Sequence, residues 1–268
     1  MSQFDFIPET DNLLHTNPAL YEAFYSGTET SMAYFLRALL DHFKPGPKVL
    51  DVGCGLGREA AYLCRYGYQV DGLDNSKEML EWASSRYVAP RFIYGDLRTY
   101  VSEIEYDALY CVGSSFMYNF TNESAIRCLK CFRENLRKGG LLYLDMRNAA
   151  IFLTDKGQQR LREEGVDETV YQGQKATVRI RLSIDLEKQL LNRDYYWSIA
   201  GAKPIHERLQ HRLFFPQELA LFLSICGFHV LQIFDRPDAH NGHYQDGEPL
   251  TFSNELTGSR FQIIAEAK

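Results

Sequence analysis

Short apolar runs alternate with amphipathic runs of helix length between about Lys48 and Asp145. The spacing predicts strands at Lys48–Val52, Gln69–Leu73, Arg91–Tyr94, Tyr106–Cys111 and Leu141–Asp145. It predicts helices between them at Arg58–Tyr66, Lys77–Ser85 and Glu123–Leu136. Strands and helices that alternate in this way form a parallel sheet with helices on both faces, so the region predicts a doubly wound α/β domain. Its ligand would bind beyond the carboxyl ends of the strands.

The segments on either side of this core, which we place at residues 45–150, have other patterns. Residues 1–44 contain runs of helical spacing and predict an N-terminal helical cap. Within residues 151–215, apolar and polar side chains alternate in four runs, Thr169–Tyr171, Ala176–Asp185, Leu191–Ser198 and Arg208–Phe215. This pattern predicts an antiparallel β meander inserted into the domain as a substrate lid. Residues 216–268 return to the earlier pattern, and we expect them to complete the core sheet.

Composition and charge narrow the classes of partner. The 268 residues are 45% hydrophobic and 24% charged, as in soluble globular proteins. A net charge of −6 with scattered basic residues argues against a nucleic-acid or anionic-membrane partner. The chain has no apolar stretch of about 20 residues, and its start lacks the regions of a signal peptide. Six dispersed cysteines favour reduced thiols, so we expect a cytoplasmic protein.

Two pairs of side chains invite a metal or redox interpretation. Cys128 and Cys131 lie inside a predicted helix without a second pair or matching histidines, so we interpret them as a buried helix face and expect no metal. His206 and His211 are five positions apart in an alternating segment, which places them on opposite faces of a strand. Either histidine could act as a proton acceptor beneath the insertion.

Glycines and acids follow the predicted strands. The first strand leads into Asp51-Val-Gly53-Cys-Gly55-Leu-Gly57, where glycines let the backbone turn tightly and a ligand approach it. Asp51 would repel a pyrophosphate and suits a ligand with an ammonium group. Asp74, after the second strand, can accept both ribose hydroxyls of an adenosine, and Asp96, after the third, is placed to accept an adenine amino group. Three such acids together indicate an adenosine ligand that carries an amino acid.

These motifs resemble those of the class I S-adenosylmethionine-dependent methyltransferases over about Tyr21 to Asn148. The resemblance includes two further segments, Asp107-Ala-Leu-Tyr-Cys-Val-Gly-Ser-Ser115 and Leu136-Arg-Lys-Gly-Gly140. The resemblance implies a Rossmann-like seven-stranded sheet, S-adenosylmethionine as cofactor and S-adenosylhomocysteine as product. It also implies cofactor contacts from Tyr25, Asp51, Gly53, Gly55, Asp74, Asn75, Met79, Asp96, Leu97, Cys111 and Ser115.

A finer similarity concerns the acceptor. Leu20-Tyr21-Glu-Ala-Phe24-Tyr25 and Ser114-Ser-Phe-Met-Tyr118 resemble segments of the amino-sugar N-methyltransferases, and Leu144-Asp-Met-Arg147-Asn148 resembles the glycine and sarcosine N-methyltransferases. By this resemblance Tyr21 and Tyr118 lie beside the nucleophile, and Arg147 holds a substrate carboxylate. Tyr118 stands where the amino-sugar enzymes can have histidine. Arg147 could instead form a structural ion pair with Asp145 or with a helix end.

The resemblance therefore implies methyl transfer to a small-molecule acceptor, with the nitrogen of an amine or amino acid favoured. An O- or C-methyltransferase of a natural product would use the same cofactor site. The spacing Gly55-x-Gly57-x-x-Ala60 also fits an NAD(P)-dependent oxidoreductase, although that function leaves Asp51 and Asp96 without a role. A non-catalytic sensor of S-adenosylmethionine is a further alternative, and homo-oligomer formation is left open.

Overall fold

The computed structural model describes residues 12–25 and 29–268; residues 1–11 and 26–28 of the predicted cap lie outside the described residues. The strands are β1 (Lys48–Val52), β2 (Gln69–Asp74), β3 (Arg91–Tyr94), β4 (Tyr106–Cys111), β5 (Leu136–Arg147), β6 (Gly165–Tyr171), β7 (Gln174–Asp185), β8 (Leu190–Ile199), β9 (Ile205–Arg212), β10 (Phe228–Phe234) and β11 (Arg260–Ala267). The α-helices are α1 (Leu13–Thr16), α2 (Pro18–Tyr25), α3 (Glu29–Phe43), α4 (Arg58–Arg65), α5 (Lys77–Arg86), α6 (Asn122–Asn135), α7 (Asp155–Arg162) and α8 (Pro216–Ile225).

Seven strands form one sheet in the order β10-β11-β5-β4-β1-β2-β3. The strands β1 to β5 are parallel, and β11 runs antiparallel between β5 and β10. One face packs against α6 and α8 through side chains such as Leu129, Phe132 and Leu219. The other face packs against α3 and α4 through Phe35 and Leu63. The predicted doubly wound sheet is confirmed.

Strand β5 differs from its predicted bounds. It begins at Leu136, where the sequence pattern places the end of a helix, rather than at Leu141. Leu136 pairs with Tyr106, but the next paired position is Leu141 opposite Ala108, so the register is irregular at this point. The residues between Leu136 and Leu141 do not alternate between apolar and polar side chains. The search for a period of two along the sequence therefore does not detect the early start of the strand.

The insertion forms a second sheet of four antiparallel strands in the order β6-β7-β8-β9, which confirms the predicted meander. Its inner face and the helices α1 and α2 share a separate hydrophobic cluster, in which Leu14 and Leu20 meet Val178 and Trp197. The backbone N–H of Leu13 also donates to Glu207 Oε2 at 2.9 Å. The N-terminal helices and the inserted sheet are therefore packed together, and we call this unit the lid.

Candidate functional site

A cavity of about 540 Å³ lies between the carboxyl ends of the core strands and the lid. Gly53, Gly55 and Asp74 line the end that adjoins β1 and β2. Arg147 of β5 and Tyr195 of β8 line the end beneath the inserted sheet. We call these the glycine end and the arginine end, and the two ends differ in charge, as shown below.

The turn after β1 depends on glycine for two reasons. Gly53, Gly55 and Gly57 all have positive φ, at 76°, 49° and 72°, where other residues are strained. A Cβ on Gly53 would lie 2.3 Å from Ser115 Oγ, and one on Gly57 would lie 2.5 Å from the Phe92 ring, so both positions are closely packed. A Cβ on Gly55 would meet nothing within 4 Å. Gly55 therefore gives a ligand access to the backbone.

Asp51 is a buried carboxylate with an unsatisfied charge. It is the penultimate residue of β1 and is 1% exposed. Neither of its oxygens accepts a hydrogen bond of normal geometry from the described residues, although the neighbouring hydroxyl of Tyr110 acts to lower its pKa. Burial, and then the nearby charge of Glu59, raise the pKa of Asp51 well above its ordinary value. An uncompensated buried carboxylate is costly, and an ammonium group brought by a ligand would compensate it.

Glu59 is an acid of the glycine end that sequence reasoning missed. It lies in the first turn of α4, lines the cavity, and burial raises its pKa. Acidic residues are common in the first turn of helices because they interact favourably with the helix dipole. Its position therefore gave no signal of a role in binding.

Asp74 joins the glycine turn to β2. Its Oδ2 accepts a hydrogen bond from the N–H of Gly55 at 2.8 Å, and its Oδ1 accepts one from the N–H of Ser76 at 2.9 Å. A carboxylate has about four lone-pair sites, so both oxygens can accept further hydrogen bonds from ribose hydroxyls. Asp74 also lines the cavity. The predicted ribose contact is therefore open to it.

We expect Asp74→Ala to weaken S-adenosylmethionine binding about 10- to 100-fold, because hydrogen bonds to a charged group contribute about 1.5–3 kcal/mol. Isothermal titration calorimetry would measure the dissociation constant. Asp71→Ala is the matched control on the same strand, since Asp71 binds Arg91 and the hydroxyl of Tyr106 instead. An unchanged dissociation constant in Asp74→Ala would refute the ribose contact.

The structure separates the other predicted cofactor residues into two groups. Asp51, Asp96 and Cys111 lie behind the cavity wall. The Asp96 carboxylate is held by Arg98, whose Nε and backbone N–H donate at 2.8 and 2.7 Å. Burial opposes the effect, but these hydrogen bonds lower the pKa of Asp96. The residues that line the cavity are Tyr25, Gly53, Gly55, Asp74, Asn75, Met79, Leu97 and Ser115.

Tyr21 and Tyr118, predicted beside the nucleophile, line the same cavity. The Tyr21 ring lies 4.8 Å from the ring of Tyr25, and burial raises the pKa of Tyr21, which keeps its hydroxyl protonated. Tyr118 ends the short 3-10 turn Ser115–Tyr118 after β4, and its ring meets His211 edge to face at 4.9 Å. Both hydroxyls can therefore donate or accept hydrogen bonds in the cavity.

Arg147, the third predicted residue, has no counter-ion within the part of the chain that the structure describes. It stands opposite Arg260 in the β5–β11 pair. Arg260 binds Asp145, which excludes the structural ion pair between Arg147 and Asp145. The Nε of Arg147 is buried without a hydrogen-bond partner among the described residues. Burial, and then the charges of Arg193 and Arg260, lower the pKa of Arg147 to about 9.

The two histidines of β9 face opposite ways, as their spacing predicts. His206 stacks on Tyr196 at 4.5 Å on the outer face and lies 3.1 Å from Asp194. His211 is buried and lines the cavity. Burial, and then the charges of Arg193 and Arg147, lower the pKa of His211 well below its ordinary value. His211 is therefore a neutral ring at neutral pH.

The cysteine pair lies in the core. Cys128 and Cys131 are buried on α6, and the thiol of Cys131 lies 2.7 Å from the carbonyl oxygen of Tyr100. Within residues 12–25 and 29–268, no group of three or more histidine, cysteine or acidic side chains is arranged to hold a metal ion. The pair has the surroundings of a packed helix face.

The sequence of this region matches a known family. Residues 49–140 match the model of a methyltransferase domain. Over these residues the chain is similar to methyltransferase domains. The match contains the glycine turn, Asp74 and Asp96, and it confirms the resemblance drawn from the motifs.

Relatives and solved structures agree with this domain. The chain is 31% identical over 128 residues to a glycine/sarcosine N-methyltransferase of Aphanothece halophytica, covering 46% of this chain and 48% of that protein. A sugar N-methyltransferase of a Streptoalloteichus species has a TM-score of 0.71 at 17% identity, covering 93% of this chain and 92% of that one. An amino pentose methyltransferase of Micromonospora echinaspora has a TM-score of 0.68 at 17% identity, covering 93% and 97%. At these identities the structural likeness shows the fold.

The chain spans half or less of the length of the curated N-methyltransferases that it matches at about 30% identity. Among the helices that the structure describes, none is both long enough and apolar enough to cross a membrane.

Proposed function

We propose that the methyltransferase domain transfers a methyl group from S-adenosylmethionine to the nitrogen of a small amine or amino acid that carries a carboxylate. The observation that carries the proposal is Arg147, a half-buried side chain with a buried Nε, which lines the arginine end and has no carboxylate partner among the described residues. A guanidinium binds a carboxylate through two parallel hydrogen bonds. The similarity to a glycine/sarcosine N-methyltransferase supports this acceptor class.

The glycine end fits S-adenosylmethionine. The charge of the buried Asp51, behind the wall at this end, favours an ammonium group in the cavity. Asp74 offers acceptors to ribose hydroxyls, and Gly55 leaves space beside the backbone. Met79 and Leu97 offer apolar surface to the adenine. When bound, the cofactor supplies a methyl group on a positively charged sulfur. A contact between Asp96 and adenine stays a prediction, because Arg98 holds that carboxylate.

The acceptor nitrogen must reach the site as a neutral amine, since a protonated amine has no lone pair. The positive charges of Arg147 and Arg193 disfavour the protonated form, just as they lower the pKa of His211. The neutral ring of His211 can accept a hydrogen bond from the amine. Tyr118 contacts that ring edge to face and holds its orientation.

Alignment and exclusion of water are the other requirements of the reaction. Tyr21 and Tyr118 reach the cavity from the lid and from the core, and their hydroxyls can direct the lone pair of the amine. The lid covers the arginine end through Tyr195 and Leu209. We propose that it closes over the acceptor.

A turnover screen tests the proposal. The purified protein would be incubated with methyl-labelled S-adenosylmethionine and with amino acids, amino sugars, neutral amines and phenols, and mass spectrometry would locate the methyl group. We expect the label on the nitrogen of a carboxylate-bearing amine. A reaction without the protein provides the blank.

Each alternative gives a different result in the same screen. Label on oxygen or carbon would show an O- or C-methyltransferase, and cofactor binding without transfer would show a sensor. An NAD(P)-dependent oxidoreductase would bind a nicotinamide cofactor instead, although the buried charge of Asp51 opposes a pyrophosphate. The cytoplasmic setting, the lack of a nucleic-acid partner and homo-oligomer formation stay predictions.

A further inference from the structure

Three guanidinium groups meet at the arginine end without a carboxylate partner. Arg147 ends β5, Arg160 lies on α7, and Arg193 lies on β8; all three line the cavity. The structure gives none of them an ion pair among the residues it describes. By contrast, the buried Arg212 and Arg260 bind Glu218 and Asp145.

Arg193 and Arg160 are close enough to Arg147 for their charges to act on it, with Arg193 half-buried and Arg160 exposed. Besides burial, the charges of Arg193 and Arg160 help to lower the pKa of Arg147 to about 9. The Nη1 of Arg193 lies 3.5 Å from the ring nitrogens of His211, a neutral group that cannot compensate its charge. Three elements that are separate in sequence thus bring together like charges, which is unfavourable in the absence of an anion.

Few carboxylates oppose this cluster. Asp145 is bound to Arg260, and Glu59 and Asp74 belong to the glycine end. Asp167 of β6 is the remaining acid that lines the cavity among the described residues, and it is exposed. Even with Asp167 counted against the cluster, a single acceptor carboxylate would leave one guanidinium without a partner.

We propose that the acceptor carries two anionic groups, one bound by Arg147 and the other by Arg193 and Arg160. This inference rests on the proposed function and narrows its substrate to an amino compound with a second carboxylate or a phosphate. Both anions accept paired hydrogen bonds from guanidinium groups. Arg193 belongs to the lid, so the second anion also contacts the element that covers the acceptor.

Matched ligands test the second anion. The full-length protein, saturated with S-adenosylhomocysteine, would be titrated calorimetrically with glutamate and glutamine, aspartate and asparagine, and O-phosphoserine and serine. Each pair differs mainly in one anionic group. We expect the charged member of at least one pair to bind tenfold or more tightly, and the pair with the larger ratio distinguishes carboxylate from phosphate. Ratios below threefold in all three pairs would overturn the proposal.

Two variants test whether Arg160 and Arg193 cause the preference for the charged ligand of a pair. Arg160→Gln and Arg193→Gln should each reduce the ratio within the preferred pair at least threefold, with little change for the uncharged member. Arg162→Gln, on the same helix and exposed, is the control and should leave the ratio unchanged. Equal weakening of charged and uncharged members would contradict the assignment. These titrations need no turnover, whereas the proposed function fails separately if the screen finds no N-methylated product.

Discussion

Replacement of Asp51 by asparagine is expected to stabilise the ligand-free protein and to remove most of its affinity for S-adenosylmethionine. A buried polar group without partners costs about 1–3 kcal/mol, and an ionised one costs more. Asparagine keeps the shape and removes the charge, so Tm should rise by about 2–6 °C. Loss of the negative charge behind the wall, which favours the ammonium group, should weaken binding about 10- to 100-fold.

The pH dependence of this difference gives a second measurement. The raised pKa of Asp51 means that the folded state holds this proton more tightly than the unfolded chain. The destabilisation is therefore absent below the unfolded pKa of about 4 and grows as the pH rises above it. The Tm difference between Asp51→Asn and the wild type should narrow as the pH falls from 8 to 5.

Two controls separate the charge effect from general damage. Glu105→Gln changes an exposed acid and should alter neither Tm nor binding. The ligand 5′-methylthioadenosine lacks the amino-acid part, so its affinity should be unchanged in Asp51→Asn and reduced in Asp74→Ala. A lower Tm with equal loss of both ligands would contradict the role assigned to Asp51.

Replacement of Arg147 by methionine should likewise stabilise the protein while it impairs acceptor binding. Methionine keeps the length of the side chain and removes an uncompensated charge. The lowered pKa, about 9, means that the folded state disfavours the charged form. The cost is full below pH 9 and is relieved as the pH rises from there towards the unfolded pKa. We expect Tm to rise by about 4 °C or more at pH 7.

In kinetic measurements, Arg147→Met should change the KM of the acceptor but not the affinity for the cofactor. KM for a carboxylate-bearing acceptor should rise about 100-fold, and the dissociation constant of S-adenosylmethionine should stay within about twofold. Arg260→Met is the contrasting variant from the opposite position of the β5–β11 pair. It leaves the carboxylate of Asp145, which is 1% exposed, without its ion-pair partner. The free energy of unfolding should therefore fall by about 3–5 kcal/mol. Equal losses of acceptor and cofactor in Arg147→Met would refute its role.

The core could be predicted because its sequence signals are local. The strands β1, β3 and β4 have their predicted bounds, and each is a short apolar run flanked by turn residues. Helix α7 was not predicted, because Asp155–Arg162 is polar at almost every position and has no apolar stripe. Its start depends instead on the side chain of Thr154, which accepts a hydrogen bond from the N–H of Gly157.

The glycine end was easier to predict than the arginine end for a physical reason. Tight turns demand glycine, so Gly53 and Gly57 are visible in the sequence. Arg193 lies in an alternating strand where an arginine is ordinarily assigned to the solvent face. The sequence does indicate its direction, because Arg193 is two positions from each of the buried residues Leu191 and Tyr195. Alternate residues of a strand lie on the same face, so Arg193 points inward with them. Arg160 had no such signal.

The opposite charges of the two ends also determine how a zwitterion would lie in the cavity. A free amino acid that enters with its carboxylate towards Arg147 places its amino group towards Glu59 and Asp74, the side where the methyl donor is expected. The reversed orientation is opposed at both ends, since it brings the ammonium to the arginines and the carboxylate to the acids. We therefore expect the opposite charges of the glycine end and the arginine end to orient the acceptor productively before any shape-specific contact forms.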